Sequence, residues 1–269
     1  MTLFHRSAAF CISCCLGLCA ALVLGAGCPP RVSCRLEMVP KQLQGDRYNV
    51  QTFEVFKRVL RADSTAVDVG AYKGNVLIEM VKAAPRGTHY AFEPMPKMAA
   101  FVRKRFPSPR IKVLEMALGN RTGTATFQLV STHPAYSGLK QRSYPTKKEI
   151  ITPIQVKIDT LDNVLPANAR VALIKADVEG GEYNVFQGAK KIILRDRPVL
   201  VFEHGGAARG YGVTSEMMYR LLHDAYGLEV NLMSCWLKGE RGLTLAEFKE
   251  QYSAARNFYY IAYPPKTKK

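Results

Sequence analysis

From about residue 50 to residue 264, short apolar runs alternate with amphipathic stretches. Runs of four to eight apolar residues bounded by turn formers predict buried strands, and apolar residues spaced three and four apart predict helices. This pattern gives a helix over Val55–Leu60, a strand over Thr65–Val69 and a helix over Val76–Lys82. A strand over Thr88–Phe92, a helix over Lys97–Phe106 and a strand over Ile111–Leu118 come next. The rhythm then changes, with strands at Gly123–Val130 and Ile151–Ile158 joined by a polar loop instead of a helix. It resumes with a strand at Val171–Ala176, a helix through about Leu194, a strand at Arg197–Phe202 and a helix over Thr214–Tyr226. Closing strands fall near Leu228–Met233 and Phe258–Tyr263. Strands alternating with helices predict an α/β fold with a mainly parallel sheet, whose ligands bind outside the C-terminal strand ends.

Ahead of this body, Ala8 to Cys28 carries no charge for 21 residues. A helix of about 20 residues matches a hydrocarbon core near 30 Å, so the segment reads as a membrane span or a long secretory signal. The expected organisation is an anchor or signal segment over 1–28, a linker over 29–45 and a catalytic domain over 46–269. Arg6 precedes the apolar stretch, and Arg31, Arg35 and Lys41 follow it. That excess slightly favours an anchored body on the cytoplasmic face, with export as the alternative.

Composition changes this picture little, and charge changes it more. The 269 residues are 48% hydrophobic and 22% charged, which excludes disorder and collagen-like chains as the main theme. Lys and Arg number 38 against 22 Asp and Glu, a net charge of +16, with dense stretches at Arg103–Arg105 and Lys147–Lys148 and a basic tail. A solvated basic surface or attraction to anionic headgroups, acidic glycans or nucleic acid both fit that excess. Six of the seven cysteines precede residue 35, which leaves the body with Cys235 alone and suits a reducing compartment.

The candidate chemistry sits at the strand ends. Asp68-Val-Gly70-Ala-Tyr72-Lys-Gly74 places glycines at a strand-to-helix turn, where backbone can approach a ligand closely. The spacing is G-x-x-x-G, short of the dinucleotide fingerprint G-x-G-x-x-G. Glu93 ends the next strand, 25 residues after Asp68, where a carboxylate can accept two hydrogen bonds from a ribose diol or favour a helix N-terminus. A nucleoside site without a phosphate-cradling loop points to S-adenosylmethionine.

Five stretches carry a family resemblance: VDVGAYKG (67–74), YAFEPMP (90–96), EMALGNRTGTATF (115–127), LIKADVEGGEYNVFQGA (173–189) and RPVLVFEH (197–204). In this order they resemble the FkbM family of S-adenosylmethionine-dependent methyltransferases. The resemblance implies a class I methyltransferase fold, a Rossmann-like, mainly parallel seven-stranded sheet with helices on both faces, here with an added N-terminal hydrophobic helix. It also implies methyl donation from S-adenosylmethionine to an oxygen, often on a sugar. On the same basis Asp68, Gly70 and Gly74, with Tyr72 in the same turn, would hold the methionine part of the cofactor. Glu93 would bind the ribose, Met116 and Ala117 would lie near the adenine, and Asp177 and Glu179 would face the methyl group. Tyr72-Lys73 departs from the Asn and small or branched residue usual in the family.

Removing a proton from an alcohol acceptor requires a base. His204 can act near neutral pH, and Asp177 can accept the proton or, with Glu203, help hold a divalent cation; no metal is assigned. The alternative roles are structural: Asp177 and Glu179 capping the next helix, and His204 bonded to a backbone carbonyl. The expected partners are a small-molecule, glycan or lipid-linked acceptor and, through the N-terminal segment, a membrane. No RNA-binding module or base-pocket motif accompanies the positive charge, so nucleic acid is not an expected partner. A nucleic-acid methyltransferase and a membrane-tethered, non-catalytic binding domain remain the competing readings.

Overall fold

The computed structural model describes residues 41–142, 144 and 148–265. The apolar stretch 8–28 and most of the expected linker lie outside the described residues. No helix among the described residues is long and apolar enough to cross a membrane. Helix α1 runs from Lys41 to Val59.

The strands are β1 Thr65–Val69, β2 His89–Phe92, β3 Ile111–Leu114, β4 Ala117–Leu118, β5 Gly123–Val130, β6 Ile151–Asp159, β7 Val171–Ala176, β8 Val199–Glu203, β9 Glu229–Asn231 and β10 Tyr259–Tyr263. The remaining helices are α2 Asn75–Ala83, α3 Pro96–Arg105, α4 Leu161–Val164, α5 Glu182–Gln187, α6 Lys190–Asp196, α7 Ser215–Tyr219, α8 Met233–Leu237 and α9 Leu245–Ser253. Seven strands form one sheet in the order β3-β2-β1-β7-β8-β10-β9. The first five are parallel, and β10 runs antiparallel to both β8 and β9. The sheet therefore starts at its middle, grows outward to β3 and resumes at β7 on the other side of β1. That reversal, between β1 and β7, is where an open α/β sheet binds ligands.

Alternation along the strands feeds two cores, one on each face. Val67, Val69, Ile174, Ala176, Leu200 and Phe202 pack with Phe186 of α5, Ile193 of α6 and Phe248 of α9. Ala66, Leu173, Val201 and Ile261 point the other way, against Val55 and Phe56 of α1, Met80 of α2 and Met233 of α8. Each such aromatic or aliphatic side chain contributes about 1.5–3 kcal/mol when fully buried. Both strand faces are covered, so the strand sequences show little polar alternation.

The structure differs from the sequence expectation at several places. The expected strand 111–118 divides: β3 closes the edge of the main sheet, and β4 joins a separate three-stranded sheet in the order β4-β6-β5. The expected helix through Leu194 is broken at Gly188, where a Cβ would collide with the backbone of Gly119. The expected helix 214–226 ends in a π-turn over Arg220–Ala225. Helices α8 and α9 were not expected. Cys235, which the sequence left as the body's lone cysteine, is fully buried in α8 and disulfide-bonded.

Candidate active site

The turn from β1 into α2 is strained in the way a ligand cradle requires. Gly70, Tyr72 and Gly74 all have positive φ, and at 48° Tyr72 is in a conformation that L-residues rarely adopt. A Cβ on Gly70 would fall on the carbonyl oxygen of Asp177, so this turn and the one following β7 lie backbone to backbone. The second turn is strained as well. Glu179 has φ 60° and Gly180 has φ 101°, and a Cβ on Gly180 would lie 2.5 Å from the carbonyl carbon of Ala207.

Between these turns opens a cleft that is partly open to solvent. Gly70, Tyr72, Glu93, Met116, Ala117, Asp177 and Glu179 line it. Asp68, Gly74 and His204 do not. Gly74 packs under Phe106 and Val102 and shapes the turn from beneath.

Glu93 is buried at the end of β2, and its carboxylate bridges two elements. One oxygen accepts from the Tyr72 amide at 2.7 Å and the other from the Met95 amide at 2.9 Å. Each oxygen keeps lone-pair capacity for a further donor. Burial raises its pKa to about 7, against the lowering effect of the two amides.

Asp68 is fully buried on β1, directly in register with Lys175 on β7. The Lys175 ammonium lies 3.6 Å from Asp68 and 3.5 Å from Asp177. Lys175 and Asp177 are two residues apart, so strand alternation sends both to the same face. Tyr259, in register with Glu203 across β10 and β8, donates its hydroxyl to Asp177. A polar row thus crosses β1, β7, β8 and β10 at the C-terminal ends of the parallel strands. Burial would raise the Asp177 pKa, but Lys175, Tyr259 and Glu203 together hold it below the ordinary carboxylate value. Burial and the neighbouring Asp177 and Glu182 hold Glu203 well above that value, so Glu203 carries the proton of the pair. Asp177, Glu182 and Glu203 also bring carboxylate oxygens within 4.8 Å of one another, a spacing a divalent cation could share. Glu182 accepts instead from the amides of Val178 and Gly180, which closes the turn after β7.

The histidine expected as base is elsewhere. His204 is fully buried, stacked against Phe248 and Tyr252, with Nε2 3.3 Å from the Ser215 hydroxyl. Burial pushes its pKa down to about 4. The imidazole is enclosed and does not line the cleft. Glu179 pairs with Arg142, which also lies over the Tyr136 ring at 5.3 Å. Through these contacts the loop after β5 closes one side of the cleft with Pro134, Ala135, Ser137 and Leu139.

The chain matches the Methyltransferase FkbM domain over residues 68–227, which is more than half its length. It belongs to the FkbM methyltransferase family. Membership makes the chain an S-adenosylmethionine-dependent methyltransferase, and the match begins at Asp68 and takes in both strained turns and Glu93. A curated relative, the 2-O-methyltransferase NoeI of Sinorhizobium fredii, is 23% identical over 176 residues, covering 57% of this chain and 70% of the relative. Among solved structures, the methyltransferase FkbM of Methylobacillus flagellatus is 13% identical with a TM-score of 0.46, over 82% of this chain. This chain spans 60% of that protein's length. A precorrin-6y C5,15-methyltransferase from Geobacter metallireducens is 18% identical with a TM-score of 0.40, over 73% of this chain and 78% of that one.

The cleft suits the donor of this FkbM methyltransferase. Phe92, Met116 and Leu118 offer apolar walls to a flat base. Glu93 offers carboxylate acceptors to a diol, and the side-chain-free Gly70 lets the ligand approach the backbone. Lys175, Tyr259 and Arg142 were given no role in the sequence reading. Of these, Lys175 had a signal: a lone cation inside an apolar strand two residues before an acid.

Proposed function

We propose that this FkbM methyltransferase methylates a hydroxyl oxygen, on a sugar or on another small or lipid-linked acceptor. The observation that carries the reading is the convergence of Glu93 and Asp177 on one cleft from opposite sides of the β1–β7 reversal. The 2-O-methyltransferase activity in the name of the NoeI relative agrees with an oxygen acceptor.

When bound, the donor supplies an electrophilic methyl group on a sulfonium. Glu93 would accept the ribose hydroxyls, and the Tyr72 and Met95 amides fix its carboxylate in place. Asp177 lines the cleft and is held ionised, and it would take the acceptor's proton while the donor's methyl group passed to the oxygen. Tyr259 and Lys175 orient that carboxylate. Glu203 keeps its own proton and stabilises the neighbouring charge.

Titration calorimetry with S-adenosylmethionine tests the reading, using wild type beside Glu93→Gln and Asp177→Asn. Hydrogen bonds to a charged group are worth about 1.5–3 kcal/mol each, so Glu93→Gln is expected to weaken binding by about ten- to a hundredfold. Asp177→Asn is expected to bind within a few-fold of wild type yet lose turnover in a screen of hydroxylated acceptors. A folded wild type that does not bind the donor would sink the proposal.

A further inference from the structure

The strongest feature outside the cleft is helix α3 with its flanks. Residues 94–114 contain six basic residues and no acid. Two of the six are engaged: Arg103 pairs with Glu115, and Arg105 donates to the Lys73 carbonyl and to Asn75. Lys97, Lys104, Arg110 and Lys112 are exposed and have no partner among the described residues. On α3 the positions 97, 101 and 104 follow an i, i+4, i+7 spacing, so they share one face. The middle position is Phe101, one of the few large apolar side chains left open to solvent, at 48% exposure. The opposite face is sealed, with Ala99 and Val102 buried.

A phenyl ring held between two free ammonium groups is poorly matched to water. It is well matched to the boundary of an anionic bilayer, where the ring enters the acyl region and the lysines extend to the headgroups. The helix borders the cleft at its start and packs on the β1–α2 turn near its end. It starts directly after Met95, a lining residue, and near its end Val102 and Phe106 pack on Gly74. The same chain carries the uncharged 21-residue stretch from Ala8 to Cys28.

We propose that α3 docks on anionic lipid through Lys97, Phe101 and Lys104, holding the mouth of the cleft at the headgroup layer. The interaction is electrostatic in selectivity and apolar in depth, so it discriminates by lipid charge and weakens with salt. It also favours acceptors delivered at a membrane surface over freely diffusing ones. Docking needs none of the cleft residues, so it can fail while the methyltransferase reading stands.

The test uses the full chain with Phe101→Trp, whose fluorescence is read against the constant signal of Trp236. Vesicles contain brominated phosphatidylcholine, with or without phosphatidylserine. The apolar N-terminal stretch can bring the protein to either vesicle, but only insertion of α3 itself quenches the new tryptophan. Quenching is expected with phosphatidylserine and not without it. Adding Lys97→Glu and Lys104→Glu is expected to lower the apparent partition at least about tenfold, since each basic residue near an anionic surface contributes roughly 1 kcal/mol. S-adenosylmethionine affinity should be unchanged in the same variant. Equal quenching on both vesicles, or quenching that survives the double substitution, would overturn the proposal. So would Lys97- and Lys104-dependent binding of total RNA at physiological salt without any lipid response, which would assign the face to nucleic acid. Concentration-dependent dimerisation lost on Phe101→Ser would assign it to a second copy of the chain.

Discussion

Glu93 couples proton binding to both stability and ligand affinity, with opposite signs. Its pKa in the fold, about 7, lies above that of the unfolded chain. The folded state therefore holds the proton more tightly. That contribution to stability is complete below the unfolded value and is lost as pH rises through about 7. Diol recognition runs the other way, because the ionised carboxylate is the stronger acceptor. Between pH 6 and pH 8, roughly the span of one such titration, ligand-free protein should lose thermal stability relative to Glu93→Gln while its S-adenosylmethionine affinity rises. Thermal melts and calorimetry across that range check both slopes. An affinity flat with pH, in wild type and variant alike, would remove Glu93 from the ligand contact.

The two turns at the β1–β7 reversal are the elements on which the site depends, and glycine chemistry there separates into two costs. Gly70 and Gly212 both have positive φ, at 80° and 69°. A Cβ at Gly212 would meet open space, whereas at Gly70 it would strike the Asp177 carbonyl. Gly212→Ala should cost about 1 kcal/mol, the price of the backbone conformation alone. Gly70→Ala should cost at least about 2 kcal/mol more, because the turns must separate, and should abolish donor binding. Urea denaturation of the pair measures the difference, and equal costs would mean the turns are not in contact.

The same elements show what the sequence could and could not reveal. Asp68, Gly70 and Glu93 were legible because a strand end followed by a glycine turn is a local pattern. Asp68 nevertheless lies behind the cleft wall, sealed by Lys175, a fact fixed by the cross-strand register of β1 and β7. The burial of His204 depends on Phe248 and Tyr252, contributed by α9 more than forty residues later. Helix α9 had a readable start in the capping box of Thr244 and Glu247. The split of the expected strand 111–118 falls at the exposed Glu115, a weak signal inside the run IKVLEMAL, and pairing with β6 draws Ala117 and Leu118 away.

For the whole molecule, the disulfide at Cys235 bears on stability. Cys235 is disulfide-bonded, so reduction should release a covalent tie. A disulfide is typically worth about 2–4 kcal/mol. A reductant should therefore lower the melting temperature of wild type by several degrees, on the order of 2–4 °C per kcal/mol for a domain of this size, while leaving Cys235→Ala unaffected. An unchanged melting temperature would mean that the bond carries no load.

The antiparallel insertion of β10 also has a consequence in time. Tyr259 reaches Asp177 from a strand that pairs with β8 on one side and β9 on the other. During synthesis every other strand of the main sheet emerges before it. A nascent chain stopped short of Tyr259 would display β8 as a raw edge, β9 without a mate and Asp177 without its phenol. The reactive end of the sheet is thus the last part to be finished, and a quality-control factor that grips unpaired strand edges would have a window in which to act before the enzyme becomes competent.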